Sequence, residues 1–187
     1  MDQEIHNCHE IGTKPISFFF QEGSGNNGKK VLILGESLAK NGWVESGKAF
    51  YTKEGKMVPT GKRLNDELAL LNIKLEDCAF TEIAKCYIGK NRKQLSVCGS
   101  LCTDHFMQQV YHYRPSLIVS LGVVTKDLLN SAFGIELMMG EITEVAYKNR
   151  EYKVLPLYHP SPANPFGHVK NIKIIEANRD ILISILK

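Results

Sequence analysis

The stretch that decides the fold is VLPLYHPSP, residues 154–162. Its first half is short and apolar, as a buried strand is, and its second half sets a histidine and a serine between prolines. Proline fixes φ and lacks a backbone N–H, so Pro160 and Pro162 end the strand and stiffen the turn after it. This predicts that His159 and Ser161 lie at the carboxyl edge of a sheet, where α/β proteins bind ligands. The alternative is a rigid turn with an incidental histidine.

Other segments share this short, apolar, β-branched character, and helical periodicity separates them. The predicted strands are 31–34, 79–84 and 117–122, the predicted helices are 63–72, 98–113, 125–134 and 171–187, and residues 141–147 and 152–157 form a hairpin. Strands that alternate with helices are typical of a parallel sheet covered on both faces. We therefore predict an α/β protein, a three-layer α/β/α sandwich with a central, mostly parallel four-stranded sheet.

Length and composition are those of one globular domain. The 187 residues are 43% hydrophobic and 23% charged, enough for a single sizeable core. We predict one domain over residues 1–187, with residues 1–28 as an N-terminal extension and flexible link. Residues 40–61 show no sustained period, which predicts a long loop. The net charge of +3 permits a nucleic-acid partner without requiring one.

The chain carries no sign of a membrane or secretory destination. No apolar run approaches the roughly 20 residues that span a membrane, and the acidic start, residues 1–4, argues against a signal peptide. Five cysteines in such a chain favour free thiols or a metal site over disulfides. We expect a cytoplasmic monomer with no membrane contact.

Three chemically active side chains belong to separate predicted strands. Glu36 follows the first strand, Glu82 lies in the second, and His159 follows the last. Because parallel strands end at one edge of a sheet, these residues are predicted to converge on one crevice. The alternative for Glu36, and the simpler one when this residue is taken alone, is a solvated carboxylate at a strand end.

Six short motifs follow one another from residue 31 onward. They are GES at 35–37, GKAF at 47–50, TEIAKC at 81–86, NR at 91–92, RPSLIVSLG at 114–122 and HPSP at 159–162. Each is weak alone, but their order and spacing together resemble the uracil-DNA glycosylase superfamily. The resemblance is strongest to its fourth family, whose members often hold an iron–sulfur cluster.

This resemblance implies a monofunctional DNA glycosylase of base excision repair. Such an enzyme flips uracil or another damaged base out of DNA and hydrolyses its N-glycosidic bond. The base leaves as an anion while the sugar gains positive charge, so groups on both sides of the bond stabilise the transition state. By resemblance the catalytic residues are Glu36, which orients water or faces the sugar cation, and His159, which donates a hydrogen bond to a carbonyl of the departing base.

The resemblance also implies contacts to the base and to DNA. Phe50 would stack on the flipped base, with Tyr51 as its substitute and ordinary core packing as the alternative for Phe50. Ser161 would bind phosphate, and residues 163–166 would press into the vacated stack. The full set implied is Gly35, Ser37, Phe50, Glu82 and Ser161 for the substrate, and Lys62, Arg92 and Asn164 for DNA, single- or double-stranded.

Position 82 departs from the family pattern. Glu82 stands where the family normally has an asparagine that reads the edge of uracil. An amide donates one hydrogen bond and accepts another, matching O4 and N3–H of uracil, whereas an ionised carboxylate only accepts. Either burial keeps Glu82 protonated, or the pocket reads a base with an exocyclic amine, such as a cytosine or adenine derivative. From the sequence we favour the altered specificity.

Four of the five cysteines form a second group of candidate functional residues. Cys86 and Cys102, with Asn91 and Arg92 between them, resemble the cluster-binding loop of the iron–sulfur family, and Cys98 lies one helical turn before Cys102. With Cys8 these thiols make a candidate set of four ligands for a 4Fe–4S cluster. Zinc, or no metal at all, are the alternatives.

Two other functions remain open at this stage. Glu82 and the unusual residues after Glu36 favour a DNA-binding member of the superfamily without catalytic turnover. A nucleotide- or nucleoside-processing enzyme that never meets a polymer is the third candidate. DNA binding that weakens with salt distinguishes the first two functions from the third.

Overall fold

A computed structural model describes residues 19–24, 30–85, 88 and 93–187. The strands within these ranges are β1 (Phe20–Gln21), β2 (Val31–Ser37), β3 (Ala79–Ala84), β4 (Leu117–Leu121), β5 (Thr143–Tyr147) and β6 (Arg150–Leu157). The α-helices are α1 (Pro59–Ala69), α2 (Gln94–Tyr113), α3 (Val123–Phe133), α4 (Pro165–Ala177) and α5 (Arg179–Ile185). A π-helical turn covers Lys40–Val44 and a 3₁₀ turn covers Leu75–Asp77.

The strands form one sheet in the order β1-β3-β2-β4-β6-β5. The inner four strands are parallel, with Gly35 opposite Glu82 and Leu34 opposite Ser120. The two edge strands, β1 and β5, run antiparallel to their neighbours. The carboxyl ends of β2, β3, β4 and β6 therefore meet at one edge, which fixes where a site can form.

Helices cover both faces of the sheet. Successive strand residues point to opposite faces, so Ile33 packs in one core with α1, α4 and α5, whereas Leu32 packs in the other with α2 and α3. This arrangement confirms the α/β class and the three-layer α/β/α sandwich. None of the described helices combines the length and apolar character needed to cross a membrane.

The predicted number of four strands is wrong, because the described sheet has six. The first arm of the predicted hairpin, β5, joins the same sheet as β6. The other addition is β1, which pairs Phe20 with Thr81. A strand of two residues is too short to show any period, so the sequence carries no signal for it.

The predicted N-terminal extension falls partly outside the described residues, since positions 1–18 and 25–28 are not among them. The described part is residues 19–24. It contributes β1, and the N–H of Ser24 donates to the Glu76 carbonyl at 2.9 Å.

All four predicted helices have different bounds: α2 begins at Gln94 instead of residue 98, and α3 covers Val123–Phe133 instead of 125–134. α1 begins at Pro59 instead of residue 63, because proline has the φ of a first helical turn and needs no N–H there. The predicted closing helix, 171–187, is instead the pair α4 and α5, which break at Asn178. The Asn178 side chain donates to the carbonyls of Gly140 and Ile174, a tertiary contact invisible to helical periodicity.

Candidate active site

A cavity of about 630 Å³ opens at the carboxyl edge of the sheet. Its walls come from the ends of β2 and β3, the loop after β6 and the segment between β2 and α1. The lining includes Gly35, Glu36, Ser37, Trp43, Phe50, Thr60, Phe80, Glu82, Leu121, His159, Ser161 and Ala163. The prediction that separate strand ends converge on one crevice agrees with this placement.

Gly122 lies between the two predicted catalytic side chains. It follows β4 with φ of +99°, a conformation that residues with a side chain rarely adopt. A Cβ on Gly122 would lie 2.7 Å from Glu36 Oε1 and 3.6 Å from His159 Cβ. Because no Cβ is there, the Glu36 carboxylate and the Cβ of His159 both approach the same backbone point.

The turn after β6 sets the tautomer of His159. The backbone N–H of Ser161 donates to His159 Nδ1 at 3.2 Å. In a neutral imidazole whose Nδ1 accepts, the proton resides on Nε2, which makes Nε2 a hydrogen-bond donor. The turn is closed further by Ala163, whose N–H donates to Ser161 Oγ at 3.2 Å. The prolines and these two hydrogen bonds together favour the tautomer of His159 that carries its proton on Nε2.

Glu82 is the most unusual group in the cavity wall. Its side chain is 7% exposed, and Oε2 has no hydrogen-bond partner within the part of the chain that the structure describes. Burial, reinforced by the nearby charge of Glu36 and opposed by Lys85, raises the pKa of Glu82 to about 8. This shift favours the neutral carboxylic acid, which has one donor and one acceptor.

Gly35 makes room for that carboxyl group. The two residues are opposite each other in the β2–β3 pairing, and a Cβ on Gly35 would lie 2.2 Å from Glu82 Oε2. Any side chain at position 35 would have to push Glu82 aside. The Glu82 carboxyl can therefore occupy this place only because position 35 has no side chain.

Aromatic rings form the wall around Phe50. The ring centroids of Phe50 and Phe80 are 4.4 Å apart, and those of Trp43 and Phe80 are 5.2 Å apart. Phe50 lines the cavity and has a positive φ of 65°, a conformation that costs backbone strain. Tyr51, the sequence-based substitute for Phe50, instead bonds Glu76 and lies under the Lys48 ammonium.

Two of the three predicted DNA-contacting residues, Lys62 and Asn164, are described. Lys62 is exposed on α1. Asn164 caps α4 by accepting from the Gly167 N–H at 3.2 Å, and its Nδ2 donates to the His159 carbonyl at 3.3 Å. Its amide therefore supports the turn as well as any DNA contact. Arg92 lies outside the described residues.

The candidate metal ligands are only half described. Cys98 and Cys102 are buried one turn apart on α2, and the Lys85 N–H donates to Cys102 Sγ at 3.4 Å. Cys8 and Cys86 lie outside the described residues. Among the residues that are described, no three His, Cys, Asp or Glu side chains are grouped so as to hold a metal ion. Two buried thiols one helical turn apart are compatible with two of the four ligands of a four-cysteine site.

Several site residues were not singled out from the sequence. Gly122, Trp43 and Phe80 all bear on the cavity or its catalytic pair. A glycine directly after a buried strand was the available signal for Gly122. For Trp43 the signal was the single tryptophan of the chain standing in an aperiodic segment.

The fold and the cavity define a known class of protein. The sequence model of the Uracil DNA glycosylase superfamily matches residues 22–181, so the chain belongs to that superfamily and the resemblance drawn from the motifs is confirmed. Among its relatives, the Type-4 uracil-DNA glycosylase of Archaeoglobus fulgidus is 25% identical over 164 residues, covering 85% of this chain and 79% of the relative. The Type-4 uracil-DNA glycosylase of Sulfurisphaera tokodaii is 25% identical over 166 residues, covering 86% and 73%.

We predict that Gly35→Ala destabilises the protein through Glu82. The clash should lower the free energy of unfolding by about 1–3 kcal/mol, the usual cost of overpacking. In a Glu82→Ala background the same change should cost clearly less, since the clashing carboxyl is gone. Urea unfolding, followed by Trp43 fluorescence, is measured for the wild type, the two single variants and the double variant. Strictly additive changes in the free energy of unfolding would contradict the contact.

Proposed function

We propose that the protein is a monofunctional DNA glycosylase, a monomer that hydrolyses the N-glycosidic bond of uracil flipped out of DNA, as a step of base excision repair. The observation that carries the proposal is the approach of Glu36 and His159 to Gly122 at the cavity. Two further facts support it: membership of the superfamily, and the similarity to Type-4 uracil-DNA glycosylases.

The two side chains suit the two charges that hydrolysis creates. The bond breaks toward the base, so negative charge develops on its carbonyl oxygen and positive charge on the sugar. In our proposal His159 donates from Nε2 to the carbonyl, because its Nδ1 accepts from Ser161. The Glu36 carboxylate faces the sugar cation and orients the attacking water. The proton released by that water leaves through Glu36.

We propose that Glu82 reads the base in its neutral form. A protonated carboxyl donates to O4 of uracil and accepts from N3–H, as the family's asparagine does. The burial of Glu82 and the raised pKa of about 8 support this form over the altered specificity that the sequence favoured. An ionised Glu82 would instead select a base with an exocyclic amine, such as a cytosine or adenine derivative.

The walls of the cavity supply the remaining contacts of the proposal. Phe50, within the aromatic wall, stacks on the base, and Gly35 and Ser37 line its path. Ser161, Lys62, Arg92 and Asn164 contact the DNA backbone. Phe166 is 73% exposed in the first turn of α4, just after the His159 turn, and fits the role of a wedge that enters the vacated stack.

We further propose that Cys8, Cys86, Cys98 and Cys102 hold a 4Fe–4S cluster. When bound, such a cluster cross-links segments that are far apart in sequence. The burial of Cys98 and Cys102 on one helix supports the choice of these two thiols. Hydrolysis is not a redox reaction, so we assign the cluster no step in it.

The test of the activity is excision from oligonucleotides that carry uracil, hypoxanthine, xanthine or an alkylated base, scored by strand scission in alkali. We predict excision of uracil, and a loss of roughly 100-fold or more for Glu36→Gln, which removes the carboxylate. Glu45→Gln is the matched control, since Glu45 is an exposed carboxylate outside the cavity lining.

Equal excision by wild type and Glu36→Gln would remove Glu36 from the mechanism. If the wild type excises none of these bases but binds DNA with a salt dependence, the superfamily member without turnover becomes the better description.

The cluster proposal predicts about four iron and four sulfide per chain in protein purified without oxygen. Cys98→Ser should lower the iron content and the visible absorbance. Cys78→Ser should not, because Cys78 is a buried thiol of the other sheet face and not in the ligand set. Zinc in place of iron, or no metal in the wild type, would contradict the cluster.

A further inference from the structure

A buried carboxylate lies behind the candidate active site without lining its cavity. Glu67, on α1, is fully buried, and both of its oxygens have partners. Oε1 lies 2.8 Å from His168 Nδ1, and Oε2 accepts from Asn171 Nδ2 at 3.0 Å. Burying a carboxylate is costly unless it is well bonded, so an unused one at this position calls for a physical role.

Asn171 connects Glu67 to the strand end before His159. The Asn171 side chain is fully buried, and it bonds both backbone groups of Tyr158. Its Oδ1 accepts from the Tyr158 N–H at 2.8 Å, and its Nδ2 donates to the Tyr158 carbonyl at 2.8 Å. Tyr158 is the residue between the end of β6 and His159. The amide thus continues the backbone hydrogen bonding of β6 one residue beyond its last pair with β4, Leu121 with Leu157.

Glu67 determines which way that amide faces. Both hydrogens of Asn171 Nδ2 are used, one on Tyr158 and one on Glu67. Turning the amide over would set Oδ1 against the Glu67 carboxylate and the Tyr158 carbonyl, two repulsive contacts between acceptors. An apolar residue at position 67 would remove half of that discrimination and leave an unpaired buried donor.

The same helix holds the other side of the turn. Arg63, one helical turn before Glu67, donates from a guanidinium nitrogen to the Ser161 carbonyl at 3.1 Å. α1 therefore holds the backbone before His159 through Glu67 and the backbone after it through Arg63. His159 therefore lies between two backbone groups, those of Tyr158 and Ser161, that are held by these side chains.

The link does not depend on the ionisation of Glu67. Burial raises the pKa of Glu67 to about 7, against the lowering effect of His168, Asn171 and Arg63. A proton on Oε1 would be shared with His168, and Oε2 would still accept from Asn171. The acceptor toward Asn171 therefore persists on both sides of neutral pH.

We propose that Glu67, acting through Asn171, is a positioning residue for His159. The inference rests on the proposed function for the role of His159, and on the hydrogen bonds of Glu67 and Asn171 for the positioning itself. It assigns Glu67 no contact with the substrate.

Three substitutions at position 67 and one control test the proposal. Glu67→Met has similar volume but no acceptor, whereas Glu67→Gln keeps an acceptor for Asn171 and gains a donor for His168. Glu67→Asp keeps the charge but falls short of Asn171, and it replaces the methionine variant if that one does not fold. Asp66→Asn is the matched control, because Asp66 is an exposed carboxylate on the same helix.

Steady-state excision of uracil, with kcat and KM determined separately, gives the functional outcome. Glu67→Met should lower kcat by roughly tenfold or more with KM and DNA affinity within about twofold, since misplacement of one catalytic group affects the chemical step. Glu67→Gln should recover most of the rate and Asp66→Asn all of it. A kcat for Glu67→Met equal to that of Asp66→Asn, or a change confined to KM, would overturn the proposal.

Hydrogen exchange separates this inference from the activity. The Tyr158 amide should exchange roughly tenfold faster in Glu67→Met, because its acceptor loses its orientation. Unchanged exchange at Tyr158 would overturn the positioning whether or not the wild type excises uracil. No excision by the wild type with faster exchange in the variant would refute the proposed function alone and leave the positioning supported.

Discussion

The site depends on close approach between strand ends that two glycines permit. Gly35 leaves room for the Glu82 carboxyl and Gly122 leaves room for Glu36, so that two carboxyl groups and His159 reach one cavity at the edge of a parallel sheet. A side chain at either position would separate these groups. The geometry of the site therefore depends on backbone positions as much as on the reactive residues.

Two carboxyl groups in one cavity have different environments, and this difference separates their proposed roles. Glu82 is buried with an oxygen that lacks a partner among the described residues, and the charge of Glu36 raises its pKa further. One group held neutral beside a charged one is a recurrent way to divide recognition from catalysis. In our account Glu82 recognises the base while Glu36 stabilises the sugar cation. A neutral Glu82 in place of the family's asparagine then still offers one hydrogen-bond donor and one acceptor.

The sequence predicted the parts of the fold that local patterns encode. Short apolar runs indicated the four parallel strands, and because such strands end at one edge, the meeting of Glu36, Glu82 and His159 could be predicted as well. Other features depend on contacts between distant residues. At the break between α4 and α5 the Asn178 side chain bonds the Gly140 carbonyl, and the Glu67–Asn171 pair joins residues 104 positions apart. The positive φ of Phe50 carries no sequence signal, because phenylalanine rarely adopts it.

The central claim is that a neutral Glu82 reads uracil, and the ratio of excision rates for Glu82→Gln and wild type tests it most directly. Glutamine keeps one donor and one acceptor at every pH, whereas the neutral acid is lost as pH rises through its pKa of about 8. Effects of pH on groups that Glu82 does not influence cancel in the ratio, whereas Lys85, whose pKa Glu82 raises, titrates differently in the two proteins. The account predicts a ratio near one at about pH 6.5 that rises roughly tenfold by about pH 9. A ratio that stays constant over this range, or uracil excision that Glu82→Gln abolishes at the lower pH, would contradict it.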